Sequence, residues 1–218
     1  MPRPRAVWQG PVERRSYGRP TLAKLDDLAA AGSGGDWARV VELLDDPRWP
    51  VTPNSWQPES AAWHTPLHHA AQRGAPRDTV MDLLARGAWR AMKDADGLTA
   101  YDLAHDSGRR DLLDALANPL RNRRPDDVAR TLDQHLRDVI DTRLAARLQV
   151  RYPSVRILER LPGGTDLWFP VPGMVGGFQI ALVDDHIEVT SWSRVVEGSG
   201  QRHLISTGGS QLVAEGFG

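Results

Sequence analysis

The chain has 218 residues, of which 40% are hydrophobic and 25% charged, with a formal net charge of −1 and no cysteine. These values suit a globular chain with room for one large domain or two small ones. The near-neutral charge gives no reason to expect nucleic acid or an anionic membrane surface as a partner. The lack of cysteine excludes disulfides, thiolate catalysis and thiolate metal sites.

Residues 1–20 contain five arginines among prolines and glycines, with no apolar run after them. This composition predicts a flexible arm rather than a secretory signal. No stretch of the sequence is apolar for the length of a membrane-spanning helix. We therefore expect a cytoplasmic protein whose first residues form a solvated tail.

Two helices are predicted between residues 21 and 44. The first starts at Thr21, and the glycines of residues 32–35 are expected to break it. Asp36 should cap the second, because aspartate accepts hydrogen bonds from the first backbone N–H groups of a helix. The apolar stripe of that second helix consists of Trp37, Val40, Val41 and Leu44.

Residues 45–63 form a long segment with four prolines and three tryptophans. Its prolines exclude a regular helix, so we predict an irregular loop. Long irregular loops inside compact domains are commonly functional. The tryptophans of this segment are therefore candidate contact residues.

The motif Thr65-Pro66-Leu67-His68 follows this loop, and a looser copy starts at Thr99. The two threonines are 34 positions apart, close to the period of about 33 of ankyrin repeats. On these residues the chain resembles the ankyrin family, with about three repeats over residues 21–118. The resemblance implies stacked helix pairs with a concave surface for partners. The second copy departs from the family's Pro, Leu and His at three positions, where it has Ala100, Tyr101 and Asp102.

The same resemblance bears on the cluster formed by His64, His68 and His69. It implies that Thr65 and His68 bond to each other and to the neighbouring backbone, so both are scaffolding and no metal site is expected. In the second copy, the usual Thr–His hydrogen bond should be lost. His69 stands where the family usually has an apolar residue. We interpret it as a hydrogen-bonded core histidine, with a functional role as the alternative.

The C-terminal half predicts a small α+β domain over residues 126–218, joined by a linker at 119–125. Pro125-Asp126-Asp127 is a helix start, and an apolar face continues to Leu148. The predicted strands are Val155–Leu161, Asp166–Val171, Phe178–Val183, His186–Val196, Gln201–Ser206 and Gln211–Glu215. The predicted fold class is an α-helical ankyrin-repeat solenoid followed by this domain, in which a long helix packs on an antiparallel sheet. The domain resembles a small bacterial domain, and this resemblance implies no particular activity.

A polar and aromatic patch is predicted on this sheet. A four-residue loop at 197–200 would pair Arg194 with His203, which places Trp192 and Gln201 on the same face. The arginine would lower the pKa of His203 and keep its ring neutral. The alternative is a solvated sheet face with flexible turns.

We expect a binding module that uses a tryptophan-rich concave or interdomain surface for a protein partner or an apolar small molecule. Tryptophan and arginine are enriched at binding hot spots. The candidate contact residues are Trp49, Trp56, Trp63, Trp89, Arg90, Asp102, Trp168, Trp192 and Gln201.

The alternative function is a small enzyme without cofactor or metal, with its site in the interdomain cleft. It would be a lyase or dehydratase, an isomerase or a cyclase acting on a carbonyl substrate, as in small-molecule biosynthesis. His203 or His186 would serve as the acid–base group. Arg194 or Arg202 would polarise the carbonyl oxygen.

Overall fold

The computed structural model describes residues 5–48, 51–117, 124–144, 148–161, 165–194 and 199–217. The chain divides into two compact units, one of residues 13–120 and one of residues 1–12 together with 121–218. They are named the helical unit and the sheet unit below, and each is described by itself.

The helical unit contains six α-helices within its described residues, after a 3₁₀ turn at Arg14–Ser16. They are α1 (Arg19–Gly34), α2 (Trp37–Asp45), α3 (Pro66–Gln72), α4 (Arg77–Ala85), α5 (Ala100–Asp106) and α6 (Arg110–Leu116). Helix α1 packs on α2 and α3, α3 packs on α4 and α5, and α6 packs on α4 and α5. Their apolar faces form one core that includes Leu25, Leu28, Val40, Leu67, Val80, Leu83 and Leu112. Burial of each such side chain stabilises the fold by about 1.5–3 kcal/mol relative to exposure.

Polar caps fix where several of these helices begin. The carboxylate of Asp36 accepts a hydrogen bond from the Arg39 backbone N–H at 3.0 Å, which confirms the predicted cap of α2. At α5, Thr99 Oγ1 donates to Asp102 Oδ2 at 2.6 Å, and the Thr99 backbone N–H donates to the same oxygen at 2.8 Å. Asp102 therefore replaces the histidine of the first motif as the partner of the threonine.

The loop between α2 and α3, residues 46–65, is held against the segment that follows α4. The side chain of Asn54 donates to the Gly87 carbonyl oxygen at 2.9 Å and accepts from the Trp89 backbone N–H at 2.7 Å. Trp56, within this loop, is only 2% exposed. The loop is thus a packed part of the unit.

The sheet unit contains, within its described residues, a six-stranded sheet in the order β1 to β6 and two helices. The strands are β1 (Arg5–Val7), β2 (Asp166–Val171), β3 (Gly176–Val183), β4 (His186–Ser193), β5 (Gly200–Ser206) and β6 (Gly209–Phe217). Helix α7 (Asp126–Asp141) packs on β5 and β6, and α8 (Val155–Leu158) packs on α7 and β3. The core beneath includes Leu132, Leu136, Ile140, Phe169, Phe178, Ile180, Val189 and Ile205.

The predicted fold class is wrong. The chain forms a unit of helices and a unit with a mixed sheet, because β1 pairs in parallel with β2 while the other strand pairs are antiparallel. A solenoid stacks units of one kind. Here the connections between helix pairs differ, with residues 46–65 before α3 and 86–99 before α5. The sheet, moreover, takes its first strand from the opposite end of the sequence.

The predicted flexible arm at residues 1–20 also differs from the structure, which places residues 5–12 in the sheet unit. Trp8 is 2% exposed, and its indole N–H donates to the Arg151 carbonyl oxygen at 2.5 Å. Gly10 has φ +68°, and a Cβ there would lie 2.1 Å from a ring carbon of Phe169. Only glycine fits such a conformation and such a close approach. The arginines predicted a solvated tail, but a single buried tryptophan anchors this segment in the sheet unit.

Two element assignments need correction. Residues 155–158 form the short helix α8 and not the start of a strand. Asp133 accepts a hydrogen bond from the Val155 backbone N–H at 2.6 Å, and short apolar runs do not distinguish helix from strand. Helix α1 continues through residues 32–34 and ends at Gly35, which has φ 75°. Residues 119–123 of the predicted linker lie outside the described residues, as does Trp49.

Candidate functional site

A cavity of about 310 Å³ lies in the helical unit, between α1, residues 57–64 and α3. We call it the α1–α3 cavity. Its size is at the lower end of the range for small-molecule pockets, about 300–1,000 Å³. Three alanines and six polar side chains line it: Ala29, Ala30, Ala62, Asp26, Ser33, Gln57, Ser60, His64 and His69.

The start of α3 fixes the position of the histidines. The Thr65 hydroxyl and backbone N–H both bond to His68 Nδ1, at 2.8 and 3.2 Å. Because Nδ1 accepts, Nε2 carries the hydrogen and donates to the Met92 carbonyl oxygen at 3.2 Å. The structural role predicted for Thr65 and His68 is confirmed. The His68 ring is fully engaged, which leaves its two histidine neighbours for the cavity.

His69 lies beside α1, where Gly32 makes room for it. A Cβ on Gly32 would lie 2.8 Å from Cδ2 of the imidazole, so glycine in the last turn of α1 allows the ring to approach the helix backbone. His69 is 9% exposed, and its Nδ1 has no hydrogen-bond partner within the described residues. The predicted core position is therefore right, but the predicted hydrogen bond is absent at this nitrogen.

Burial makes His69 neutral at physiological pH. Desolvation first, and then the electrostatic interactions with His64 and Arg73, lower its pKa to about 4. A neutral imidazole with an unpartnered nitrogen can accept or donate one hydrogen bond, depending on its tautomer. Such a buried polar atom costs free energy until it finds a partner.

His64 is oriented by a buried carboxylate. Its Nε2 lies 3.3 Å from Asp94 Oδ2, and the Asp94 side chain is 2% exposed. Asp94 Oδ1 in turn accepts from the backbone N–H groups of Asp96 and Leu98, at 3.0 and 2.8 Å. A carboxylate only accepts hydrogen bonds, so the network assigns a hydrogen of His64 to Nε2; in the neutral ring, Nδ1 then carries the lone pair.

The imidazole rings of the cluster contact one another. The ring of His64 stacks on that of His68, with centroids 5.6 Å apart and an interplanar angle of 7°. It meets the ring of His69 edge to face, with centroids 5.2 Å apart. His68 thus supports the ring of His64, and two imidazoles reach the cavity from adjacent positions.

Asp26, on α1, supplies a carboxylate to the lining of the cavity. Arg14 binds it through two hydrogen bonds of 2.8 and 2.7 Å, and Gln57 Nε2 donates to it at 2.9 Å. The hydrogen bond from Arg14 lowers the pKa of Asp26, so this carboxylate is ionised at neutral pH. Among the described residues, no group of three or more His, Asp or Glu side chains is placed to hold a metal ion.

The patch predicted on the sheet is wrong. The structure pairs Val189 with His203 and Ser191 with Gln201. Relative to the predicted pairing of Arg194 with His203, the strand is shifted by an odd number of residues, which moves side chains to the opposite face. Gln201 and His203 thus share the face of the buried Val189 and Ser191, while Trp192 lies on the other face.

The reason for this register lies at the end of β4, where Ser199 bonds to the strand and the strand does not continue. Its hydroxyl accepts from the Ser193 backbone N–H at 2.9 Å and donates to the Ser193 carbonyl oxygen at 3.0 Å. Strand β4 ends there, and Arg194 lies beyond it, exposed. Residues 195–198 of the predicted strand and loop lie outside the described residues.

The four predicted catalytic residues therefore do not meet. Arg202 pairs with Thr190 and faces away from the side of His203. His186 lies at the turn between β3 and β4, within 3.5 and 3.6 Å of Asp185 and Glu188. Burial first, and Arg143 second, lower the pKa of His203. The predicted lowering of the His203 pKa is right, but the arginine that contributes to it is Arg143 and not Arg194.

The predicted contact residues are also divided. Trp56 is buried, Asp102 caps α5, and Arg90 Nε donates to the Ala115 carbonyl oxygen at 2.7 Å, so these three have structural roles. Trp63 and Trp89 are half-buried. The rings of Trp168 and Trp192 contact each other with centroids 5.0 Å apart. None of the eight described candidates lines the α1–α3 cavity.

Sequence reasoning considered His64 and His69 but missed Asp26, Gln57 and Asp94. The available signal was the glycine at position 32 inside a helical pattern, which marks a close approach. No protein-family model matches the chain, and no curated protein is detectably similar to it. The resemblance to ankyrin repeats thus has no support from family comparison. Within the described residues, no helix has the length and apolar character needed to span a membrane.

Proposed function

We propose that the protein binds a small polar molecule in the α1–α3 cavity. The observation that carries the proposal is the pair of imidazoles at its wall, each with a nitrogen that makes no hydrogen bond within the described residues. Asp94 fixes one ring and burial keeps the other neutral. Preorganised polar groups in a cavity are the usual determinants of ligand orientation.

This proposal keeps the expected class, a binding protein, and changes the expected ligand. The walls carry a carboxylate, an amide, two hydroxyls and two imidazoles beside three alanines. An apolar molecule would leave the unused donors and acceptors of these groups without partners, at a cost of about 1–3 kcal/mol for each one that is desolvated. A polar molecule satisfies them.

The test is an NMR screen of small polar fragments against the full chain and two variants. Ala30 lines the cavity from an exposed position of α1, so Ala30→Trp fills the cavity without entering the core. Ala23→Trp makes the same change at an exposed position of the same helix outside the cavity. We expect fragments that bind the wild type and Ala23→Trp and are lost with Ala30→Trp. A screen without saturable binding, or with equal binding to both variants, contradicts the proposal.

A second candidate function is proton transfer at the same cavity, which the pair of His64 and Asp94 favours. A base held by a hydrogen-bonded carboxylate is a common arrangement in acid–base catalysis. In this candidate, His64 Nδ1 takes the proton next to the carbonyl group of a substrate. His203, His186, Arg194 and Arg202 have no part in it.

Proton transfer has its own measurement, the exchange of α-protons of small carbonyl compounds in heavy water. If His64 is the base, His64→Gln lowers the exchange rate about 10²–10⁴-fold. The exposed His105, replaced by Gln, serves as the control and should leave the rate unchanged. Equal rates for the wild type and His64→Gln exclude this candidate.

A further inference from the structure

The hydrogen-bond inventory of the α1–α3 cavity indicates the charge of its ligand. This inference rests on the proposed binding function. Gln57 donates one amide hydrogen to the Asp26 carboxylate, and Ser33 donates its hydroxyl hydrogen to the Ala30 carbonyl oxygen at 3.1 Å. The side-chain oxygens of Gln57 and Ser33 keep lone pairs that can accept hydrogen bonds from a ligand. In its neutral form, His64 likewise retains a lone pair on Nδ1.

Donors are fewer in the lining. Ser60 accepts from the Ala62 backbone N–H at 3.3 Å and keeps its hydroxyl hydrogen. Gln57 keeps its second amide hydrogen, and neutral His69 has one N–H, whichever tautomer it adopts. The polar lining therefore presents mainly acceptors, and it matches a ligand that is rich in donors.

The formal charge of the lining points the same way. Asp26 is its one carboxylate, and no lysine or arginine lines the cavity. Arg14 reaches Asp26 from outside this set; with the bond from Gln57, three of the roughly four acceptor sites of the carboxylate are used, and one is left for a ligand. An anionic ligand would find no lysine or arginine among the lining residues and would lie near a carboxylate of like charge.

We propose that the ligand carries a primary ammonium group, which enters the α1–α3 cavity and donates hydrogen bonds to Asp26 and to the acceptors around it. An ammonium has three donors and no acceptor, which fits this inventory. The volume of about 310 Å³ equals the share of roughly ten water molecules in the liquid. The ligand is therefore a small amine rather than a peptide or a nucleotide.

Three probes of nearly equal size separate charge from shape: propylammonium, 1-propanol and propionate. Each is titrated into the full-length protein at neutral pH while the imidazole signals of His64 and His69 are followed by NMR. We expect propylammonium to bind at least about tenfold more tightly than 1-propanol. Propionate should give no saturable shift. Preference for propionate, or equal binding of all three, would overturn the assignment.

Paired variants test the role of the carboxylate. Asp26→Asn removes the charge from the lining, whereas Asp27→Asn removes the same charge from an exposed neighbour that is paired with Arg39 and does not line the cavity. We expect the affinity for propylammonium to fall about tenfold in Asp26→Asn and to stay unchanged in Asp27→Asn. Equal losses in both variants would mean a general charge effect and would overturn the assignment.

The outcomes separate this inference from the function on which it rests. If 1-propanol or propionate binds, is lost with Ala30→Trp and outcompetes propylammonium, the binding function stands and the ammonium assignment fails. If no probe and no fragment of the wider screen binds, both fail together.

Discussion

The neutral state of His69 ties the stability of the folded protein to pH. Burial holds its pKa at about 4, whereas an exposed histidine has a pKa near 6.5. Between these values the unfolded chain binds a proton that the folded protein does not, so the free energy of unfolding falls as the pH falls. At about pH 4.5 the expected loss from this one residue is about 2.5 kcal/mol.

The measurement is urea denaturation of the wild type and His69→Gln at about pH 7 and about pH 4.5. His203 shifts in the same direction and is present in both proteins, so the comparison isolates His69. We expect the wild type to lose about 2.5 kcal/mol more than the variant. The same loss in both proteins would show that His69 is not buried in its neutral form.

Two buried serines on β4 give a matched comparison. Ser191 is 1% exposed, and its hydroxyl has no partner within the described residues, whereas the Ser193 hydroxyl donates to the Met174 carbonyl oxygen at 2.5 Å. Replacing an unpaired buried hydroxyl removes a desolvated group without losing a bond. By thermal unfolding, Ser191→Ala should be neutral or stabilising, and Ser193→Ala should cost about 1 kcal/mol. The reverse order would indicate that Ser191 has a partner.

At the scale of the elements, α1 depends on where its glycines lie. Gly→Ala inside a helix usually stabilises by about 0.5–1 kcal/mol. At Gly34 the space around an added Cβ is empty, but at Gly32 that Cβ would lie 2.8 Å from the His69 ring. We expect Gly34→Ala to be neutral or stabilising.

Gly32→Ala should instead destabilise the protein and shift the His69 imidazole signals, because α1 or the ring must move. Chemical denaturation and imidazole NMR of the two variants check this. Stabilisation by both substitutions would contradict the packing of His69 against α1.

Elements with local signals could be predicted from the sequence. The alternation along β4 and the turn at Asp184, which has φ 50°, define the hairpin of β3 and β4 through neighbouring residues. Likewise, the Thr65 motif fixes the start of α3 through contacts within four residues. Element type and turn position in these stretches depend on short-range physics.

Features that depend on distant partners could not be predicted in this way. The register of β4 with β5 follows from the bonds between Ser199 and Ser193, and one odd shift reversed every side-chain assignment. Helix α8 depends on Asp133, and the cavity joins Asp26, Gln57 and His64 from separate elements. The sequence therefore indicated two histidines of the candidate site but not the residues that surround them.

At the scale of the whole molecule, the N-terminal strand makes the sheet unit discontinuous in sequence. Trp8 is buried and anchors residues 5–12, whereas its neighbour Val7 is 44% exposed. Trp8→Ala should cost about 3–5 kcal/mol, because it leaves a cavity and removes the bond to Arg151. Val7→Ala should change stability by less than about 0.5 kcal/mol.

Hydrogen exchange of the amides in β2 to β6 measures both substitutions within the sheet unit. Faster exchange in Trp8→Ala than in Val7→Ala is the expected result. Equal exchange in the two variants would mean that the first strand does not support the sheet.

The most direct test of the central claim is a crystal structure of the protein grown with propylammonium. We expect the ammonium nitrogen within hydrogen-bond distance of the Asp26 carboxylate, in the cavity that His64 and His69 also line. Propylammonium bound elsewhere, with ordered water alone beside the two imidazoles, would contradict it.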